Sequence, residues 1–240
     1  MKLTLVKKTE VATGTTSFSF KTTKTFSFEA GQYIYITLPK LNYPDERGET
    51  RHFTISSSPT ESEYITVTTR IREESGYKKT LNEMPIGSVV EARGPHGTFI
   101  LPIHSSQFTV HCFLAGGIGI TPFRSMIKYN VDKKLGIPMY LIYSNSDSEF
   151  VFKNELDKWQ EENKNIKIEF VDTSAIGHID KLKILKFIAN WKLTTKSGSL
   201  FENCAFSVIG PNTFVNAMEE ILTKLQIPED NIKSEKFTGY

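Results

Sequence analysis

The stretch Val110-His111-Cys112-Phe113-Leu114-Ala115-Gly116-Gly117-Ile118-Gly119-Ile120-Thr121-Pro122 decides the reading of this chain. It opens as an apolar run of strand length and breaks at Gly116, Gly117 and Gly119. It then enters Phe123-Arg124-Ser125-Met126-Ile127, where apolar residues recur at helical spacing. The pattern predicts a strand, a glycine turn and a helix. Glycine admits positive φ and lets a ligand come close to the backbone. Thr121 is expected to cap the helix through its hydroxyl, with Pro122 at the first helical position. Free N–H groups and the helix dipole then face whatever lies above the turn, a place that suits a pyrophosphate. Taken alone, the turn is equally consistent with a tight strand-to-helix connection that binds nothing. The spacing Gly117-x-Gly119-x-x-Pro122 also departs from the dinucleotide fingerprint, with proline where a third glycine would stand.

The pattern differs on the two sides of this stretch. Before it, short runs alternate polar and apolar residues at the strand period: 16–20, 25–28, 31–38, 64–71 and 88–92. Turn residues such as Pro44-Asp45-Glu46-Arg47-Gly48 separate them, and one short helix is expected over 78–84. Strands at this spacing predict a small antiparallel barrel. After the stretch, strands at 137–143, 166–171, 205–209 and 232–237 alternate with helices at 150–162, 181–189 and 212–225. On the helix at 181–189, Leu182, Leu185 and either Ile188 or Ala189 are expected to face the core. That alternation predicts a parallel sheet covered by helices, with ligands above the strand C-termini. The fold class is thus β plus α/β, with domains expected at 1–103 and 104–240.

Composition narrows the function. A net charge of +2 over 240 residues gives no electrostatic case for nucleic acid. Cys112 and Cys204 lie far apart with no CxxC pattern, which argues against a metal centre and predicts two buried, reduced thiols. No apolar run reaches membrane-spanning length, so a cytoplasmic protein is expected.

Three further segments carry candidate chemistry. In Arg51-His52-Phe53-Thr54, Arg51 and Phe53 share one face of a strand, a charged fork beside a ring. From those residues alone, a solvated arginine on an edge strand is the favoured reading. Arg70-Ile71-Arg72-Glu73-Glu74-Ser75-Gly76-Tyr77-Lys78 places cations around a turn that opens a helix, as either a second anion site or surface ion pairs. Gly94-Pro95-His96-Gly97-Thr98-Phe99 reads as a rigid turn.

Taken together, Arg51-x-Phe53-Thr54-x-x-Ser57, Gly94-Pro95-x-Gly97-x-Phe99, the glycine stretch and Gly210-Pro211 resemble the ferredoxin–NADP reductase superfamily, in the family's order and over nearly the whole chain. The resemblance implies an FAD-binding barrel followed by a nicotinamide-dinucleotide domain. It implies that Arg51 contacts the FAD pyrophosphate, that Phe53 packs on the isoalloxazine ring, and that Thr54 lies beside the reactive flavin nitrogen. Thr69, Ile71, Gly76, Tyr77 and Lys78 match the segment that wraps the ribityl and pyrophosphate groups. Gly117, Gly119 and Thr121 match the cradle for the dinucleotide pyrophosphate, and Gly210 and Pro211 border the nicotinamide. The aromatic residue of the tail, Phe237 or Tyr240, would shield the other flavin face.

Two positions depart from the family. Ile209 stands where a cysteine often precedes Gly-Pro, and no arginine follows Tyr143-Ser144-Asn145. A 2′-phosphate wants a cation, and Asp147 is nearby, so the lean is to NADH over NADPH. The resemblance therefore implies a reductase that passes a hydride from NAD(P)H to FAD and then electrons to a separate protein or small-molecule acceptor. A non-catalytic flavin-binding subunit that senses redox state or docks on a larger complex is the alternative. A serine hydrolase ranks behind both, because no G-x-S-x-G elbow is present and His52, His96 and His111 read as structural.

Overall fold

The computed structural model describes residues 1–22, 25–102, 108, 110–191, 201 and 203–237. They form two compact units, Met1–Leu101 with Thr121–Lys133, and Pro102–Ile120 with Lys134–Tyr240. The boundary expected between 103 and 104 and the candidate Tyr240 lie outside the described residues.

The first unit is built on six strands, β1 (Lys2–Ala12), β2 (Thr15–Thr22), β3 (Tyr33–Thr37), β4 (Thr50–Thr54), β5 (Ile65–Arg70) and β6 (Val89–His96). They are antiparallel in the order β4-β3-β6-β1-β2-β5. A bridge between Ile55 and Val67 joins the outer two and closes the barrel. Strand alternation explains the interior: Leu3 and Leu5, Phe18 and Phe20, Ile34 and Ile36 all turn inward and are fully buried. Residues 25–28 alternate like a strand but pair with no neighbour among the described residues. Phe26 and Phe28 instead pack on the barrel core from irregular backbone. Gly94, Pro95 and His96 end β6 rather than forming a free turn.

Helix α1 (Gly76–Glu83) begins two residues earlier than its apolar spacing predicts, because Ser75 caps it. The Ser75 hydroxyl accepts from the Lys78 N–H at 3.2 Å. At the other end, the Lys8 ammonium donates to the carbonyls of Asn82 (2.8 Å) and Met84 (2.9 Å), a cation where the helix dipole is negative. Strand β1 therefore fixes one end of α1 and the cap fixes the other.

Helix α2 (Ile120–Asp132) follows the glycine turn, and from Thr121 onward it belongs to the first unit. The buried Arg124 guanidinium donates to both Glu61 oxygens (2.6 and 3.2 Å) and to the Ser56 carbonyl (2.9 Å). The Ser125 hydroxyl donates to the Ser57 carbonyl at 2.7 Å. These bonds sew α2 to the loop that leaves β4.

The second unit holds β7 (Val110–Gly116), β8 (Met139–Asn145), β9 (Ile166–Asp172), β10 (Cys204–Gly210) and β11 (Ile232–Lys236), all parallel, in the order β11-β10-β7-β8-β9. Helices α3 (Lys153–Glu162), α4 (Thr173–Ile176), α5 (Lys181–Asn190) and α6 (Asn212–Lys224) connect them. The four residues of α4 stand where a loop was expected. Leu182, expected in the core, is 76% exposed; Ile184 and Ile188 form the buried stripe of α5. Cys112 and Cys204 are buried and unbridged. Burial pushes the His111 imidazole down to about 4, so it stays neutral at physiological pH. Among the described residues no helix is long and apolar enough to cross a membrane.

Burial pushes the Glu61 carboxyl up, but Arg124 and the Ser58 N–H outweigh it and hold the group below the usual glutamate range. Its contribution to stability is then present above the unfolded value of about 4.3 and is lost as pH falls through the lower folded value. Arg124→Ala, which strands Glu61, is expected to cost about 2 kcal/mol in urea unfolding at pH 7. That deficit should persist down to about pH 4.3 and shrink only as the measurement is carried below it.

Candidate functional site

Strand order in the parallel sheet runs β7, β8, β9 in one direction and β10, β11 in the other. The reversal falls between β7 and β10, and in open α/β sheets ligands bind beyond the strand C-termini at such a switch point. Here that place is lined by Gly116, Gly117 and Gly119 from the end of β7 and by Gly210 from the end of β10. The three glycines of the turn have different tasks. A Cβ on Gly119 would lie 2.4 Å from the Ile209 carbonyl oxygen, so this glycine lets the turn seat against β10. A Cβ on Gly116 would lie 2.7 Å from the Phe214 ring. Gly117 has φ +54°, and a Cβ there would meet nothing closer than Asn145 Oδ1 at 4.0 Å, which leaves its outer side open. The chain then makes one 3-10 turn, Gly117–Gly119, before α2.

That 3-10 turn corrects the expected cap. The Ile120 N–H already bonds back to the Gly117 and Ile118 carbonyls, so α2 starts at Ile120. Thr121 is the second helical residue rather than the cap, and it is buried. Pro122 still falls in the first turn, where its missing N–H costs nothing. Gly210 is buried and Pro211 is exposed at the entry to α6. The Phe237 N–H donates to the Gly210 carbonyl at 2.9 Å, which brings Phe237 to the same end of the sheet.

In the barrel the structure gathers Arg51, Phe53, Tyr77 and Lys78. Arg51 is 7% exposed; its Nη1 donates to the carbonyls of Arg47 (2.8 Å), Gly48 (2.9 Å) and Thr50 (2.7 Å), and its Nη2 pairs with Asp45. The arginine is therefore buried and engaged, not a solvated edge residue. Its Cζ lies 5.1 Å from the centroid of the Tyr77 ring, and Phe53 packs on the same ring at 5.9 Å. The Tyr77 hydroxyl donates to the Ile36 carbonyl at 3.0 Å, and burial drives its proton affinity up. Lys78 is buried beside them. Burial first, then Arg72, Arg47, Arg51 and Arg70, push its ammonium down to about 8. Thr54 is half-buried at the end of β4, opposite Tyr33. Thr69 is buried in β5, and Ile71 packs on the barrel core. Around this turn, Glu73 pairs with Lys79 at 3.0 Å.

Two residues with a part in the site escaped the sequence reading. Asp45 sits in what looked like an ordinary turn, yet its carboxylate accepts from Arg51, Arg47 N–H (3.1 Å), Ser75 hydroxyl (3.2 Å) and Tyr77 N–H (3.0 Å). Arg124 read only as one residue of a helical stripe. A buried arginine needs a carboxylate, and Glu61 lies across a loop that no local pattern connects to it.

The donor chemistry fits a flavin dinucleotide in the barrel. Arg51, Lys78 and the N-terminus of α1 form one cluster of anion donors, with the Phe53 and Tyr77 rings beside it. The open Gly117 turn at the switch point fits a second dinucleotide. Fold and site thus define a two-domain module of flavin and nicotinamide binding. Residues 2–100 match the oxidoreductase FAD-binding domain, and residues 113–220 match the oxidoreductase NAD-binding domain. The chain belongs to the ferredoxin–NADP reductase superfamily.

Flavohemoprotein A of Dictyostelium discoideum is 27% identical over 246 residues, covering 96% of this chain and 58% of that protein. The chain spans about half the length of the curated flavohemoproteins it matches. In fold it resembles the FAD/NAD-binding domain of nitric oxide dioxygenase from Vibrio cholerae, with TM-score 0.78, 16% identity and 98% of both chains covered. It also resembles the ferredoxin–NADP+ reductase of Plasmodium falciparum, with TM-score 0.77, 19% identity, and 98% and 95% covered.

The division of labour among the glycines has a measurable consequence. Gly119→Ala forces a methyl into the Ile209 carbonyl and is expected to cost about 1–3 kcal/mol of stability in urea unfolding. Gly117→Ala meets no atom and should cost only its backbone strain, about 1 kcal/mol.

Proposed function

We propose that the chain is an NAD(P)H-dependent, FAD-containing reductase module that delivers electrons to a separate acceptor. The observation that carries this reading is the pairing, in one chain, of a buried cation cluster in the barrel with an open glycine turn at the switch point of a parallel sheet. Bound FAD would supply the redox chemistry, taking a hydride from the nicotinamide and releasing electrons singly or in pairs. The protein's own part is to bind, orient and shield. Arg51, Lys78 and the α1 N-terminus hold the FAD pyrophosphate, and Thr69, Ile71, Gly76 and Tyr77 border it. Thr54 stands beside the reactive nitrogen. Phe53 would back the ring system from the barrel, and Phe237 would stand at the nicotinamide end of the sheet beside Gly210. Gly117, Gly119 and Thr121 cradle the nicotinamide dinucleotide, with Gly210 and Pro211 at the nicotinamide end. The acceptor is a ferredoxin- or flavodoxin-like protein or a small molecule.

The reading favours NADH. The loop after β8 holds a fixed carboxylate where a 2′-phosphate would need a cation: Asp147 accepts from Asn145 Nδ2 (2.7 Å) and from the Glu149 N–H (2.9 Å). Asn145 itself neighbours the Gly117 turn.

Anaerobic titration of the flavin-loaded protein tests the proposal. NADH is expected to bleach the flavin absorbance rapidly and NADPH slowly; a flavin that bleaches with neither would favour a redox-sensing or docking subunit. Lys78 adds a pH signature. An anion beside its ammonium favours the charged form, so FAD binding should take up a proton once Lys78 begins to deprotonate. The dissociation constant for FAD should therefore be flat below about pH 7 and rise as pH passes through about 8. Fluorescence titrations at pH 7 and pH 9 read the change.

A further inference from the structure

The segment 42–45 lies as a strap along α1. The Asn42 N–H donates to the Thr80 hydroxyl at 2.9 Å, and the Tyr43 hydroxyl donates to Glu83 at 2.7 Å. The Lys79 ammonium sits 4.5 Å from the centroid of the Tyr43 ring. The Pro44 carbonyl presses so closely on the helix that a Cβ on Gly76 would lie 2.2 Å from its oxygen. The strap ends in the Asp45 carboxylate. Its side chain is 7% exposed and spans the helix N-terminus and the guanidinium: one oxygen takes Arg51 and the Arg47 N–H, the other takes the Ser75 hydroxyl and the Tyr77 N–H.

Those donors are the ones a phosphate would use. A guanidinium, a hydroxyl and N–H groups at a helix N-terminus form an anion site, and here a carboxylate of the same chain fills it. A pyrophosphate brought to Arg51 and Tyr77 N–H meets Asp45 twice over, as a competitor for the same hydrogen bonds and as a like charge in a buried place.

We infer that Asp45 is an internal competitor of the FAD pyrophosphate, and that FAD binds by displacing the 42–45 strap from the N-terminus of α1. The inference rests on the flavin reading given above. It makes Asp45 a determinant of cofactor affinity: it stabilises the flavin-free barrel and weakens FAD binding by the same contacts. The alternative role, a clamp that positions Arg51 for the cofactor, has the opposite sign, because removing a clamp weakens binding.

The test uses the full chain stripped of flavin, as the unaltered protein and as Asp45→Asn and Asp45→Ser. Dissociation constants are read by fluorescence titration with FAD and with riboflavin, which lacks phosphate. The expected result is FAD binding tighter by about tenfold or more in both variants, with riboflavin unchanged and the melting temperature of the flavin-free protein lowered. Unchanged or weaker FAD binding in the variants overturns the inference. Hydrogen exchange on the unaltered protein gives an answer that needs no variant: the amides of Asn42 and Arg47, held by Thr80 and Asp45, should exchange faster when FAD binds, and slowed or unchanged exchange overturns the inference too. If the unaltered protein binds neither FAD nor riboflavin, the flavin reading itself fails and the inference falls with it.

Discussion

The site depends on one close approach of backbone to backbone. Where β7 ends, the chain must turn against the end of β10 with no side chain between them, and Gly119 against the Ile209 carbonyl is the contact that permits it. Gly116 and Gly210 complete the same junction against the Phe214 ring. Because β7 and β10 flank the point where strand order reverses, this junction forms the floor of the crevice such sheets present to ligands. A larger residue here would push the turn away from β10 and move every N–H group that faces the crevice. The glycines therefore serve the sheet's packing first, and the binding geometry follows from it.

In the barrel the constraint is charge. Arg51 and Lys78 are buried cations, and burial of a cation is costly unless something negative answers it. The barrel answers Arg51 with Asp45 and three backbone carbonyls, and it secures the two ends of the neighbouring helix separately, by Ser75 at the start and by Lys8 at the finish. The donors are thus held in place before any ligand arrives, and a pyrophosphate would reach them only in place of Asp45. The same economy governs α2, where Arg124 is buried only because Glu61 and the Ser56 carbonyl reach it.

Much of this was legible in the sequence, for identifiable reasons. Periodicity placed the strands of the parallel sheet and most of those of the barrel, because the strand interior alternates; β1 (Lys2–Ala12) was not among the runs it singled out. The glycine stretch located the turn and the helix after it. What escaped were features set by partners distant in the chain. Residues 25–28 have the strand period, but an alternating pattern cannot say whether a neighbour offers a free edge. Leu182 is apolar and at helical spacing, yet the stripe that meets the sheet is the one through Ile184 and Ile188. Thr121 is a good capping residue, but a 3-10 turn took up the first hydrogen bonds and moved the helix start upstream. Asp45 and Glu61 are acidic residues in loops, indistinguishable by local pattern from solvated ones. Only the fold shows that each faces a buried arginine.

Helix α2 bears on how such proteins can be recombined. Its residues fall within the stretch matched by the NAD-binding family, yet from Thr121 to Lys133 they belong to the compact unit of the barrel. A chimera joined at the family boundary would take Arg124 and Ser125 from one parent and Glu61, Ser56 and Ser57 from the other. The new barrel would then inherit a buried guanidinium whose carboxylate partner was selected in a different protein. Exchange of the nicotinamide half is structurally conservative only when the loop after β4 travels with it, so the heritable unit of this fold is discontinuous in the gene.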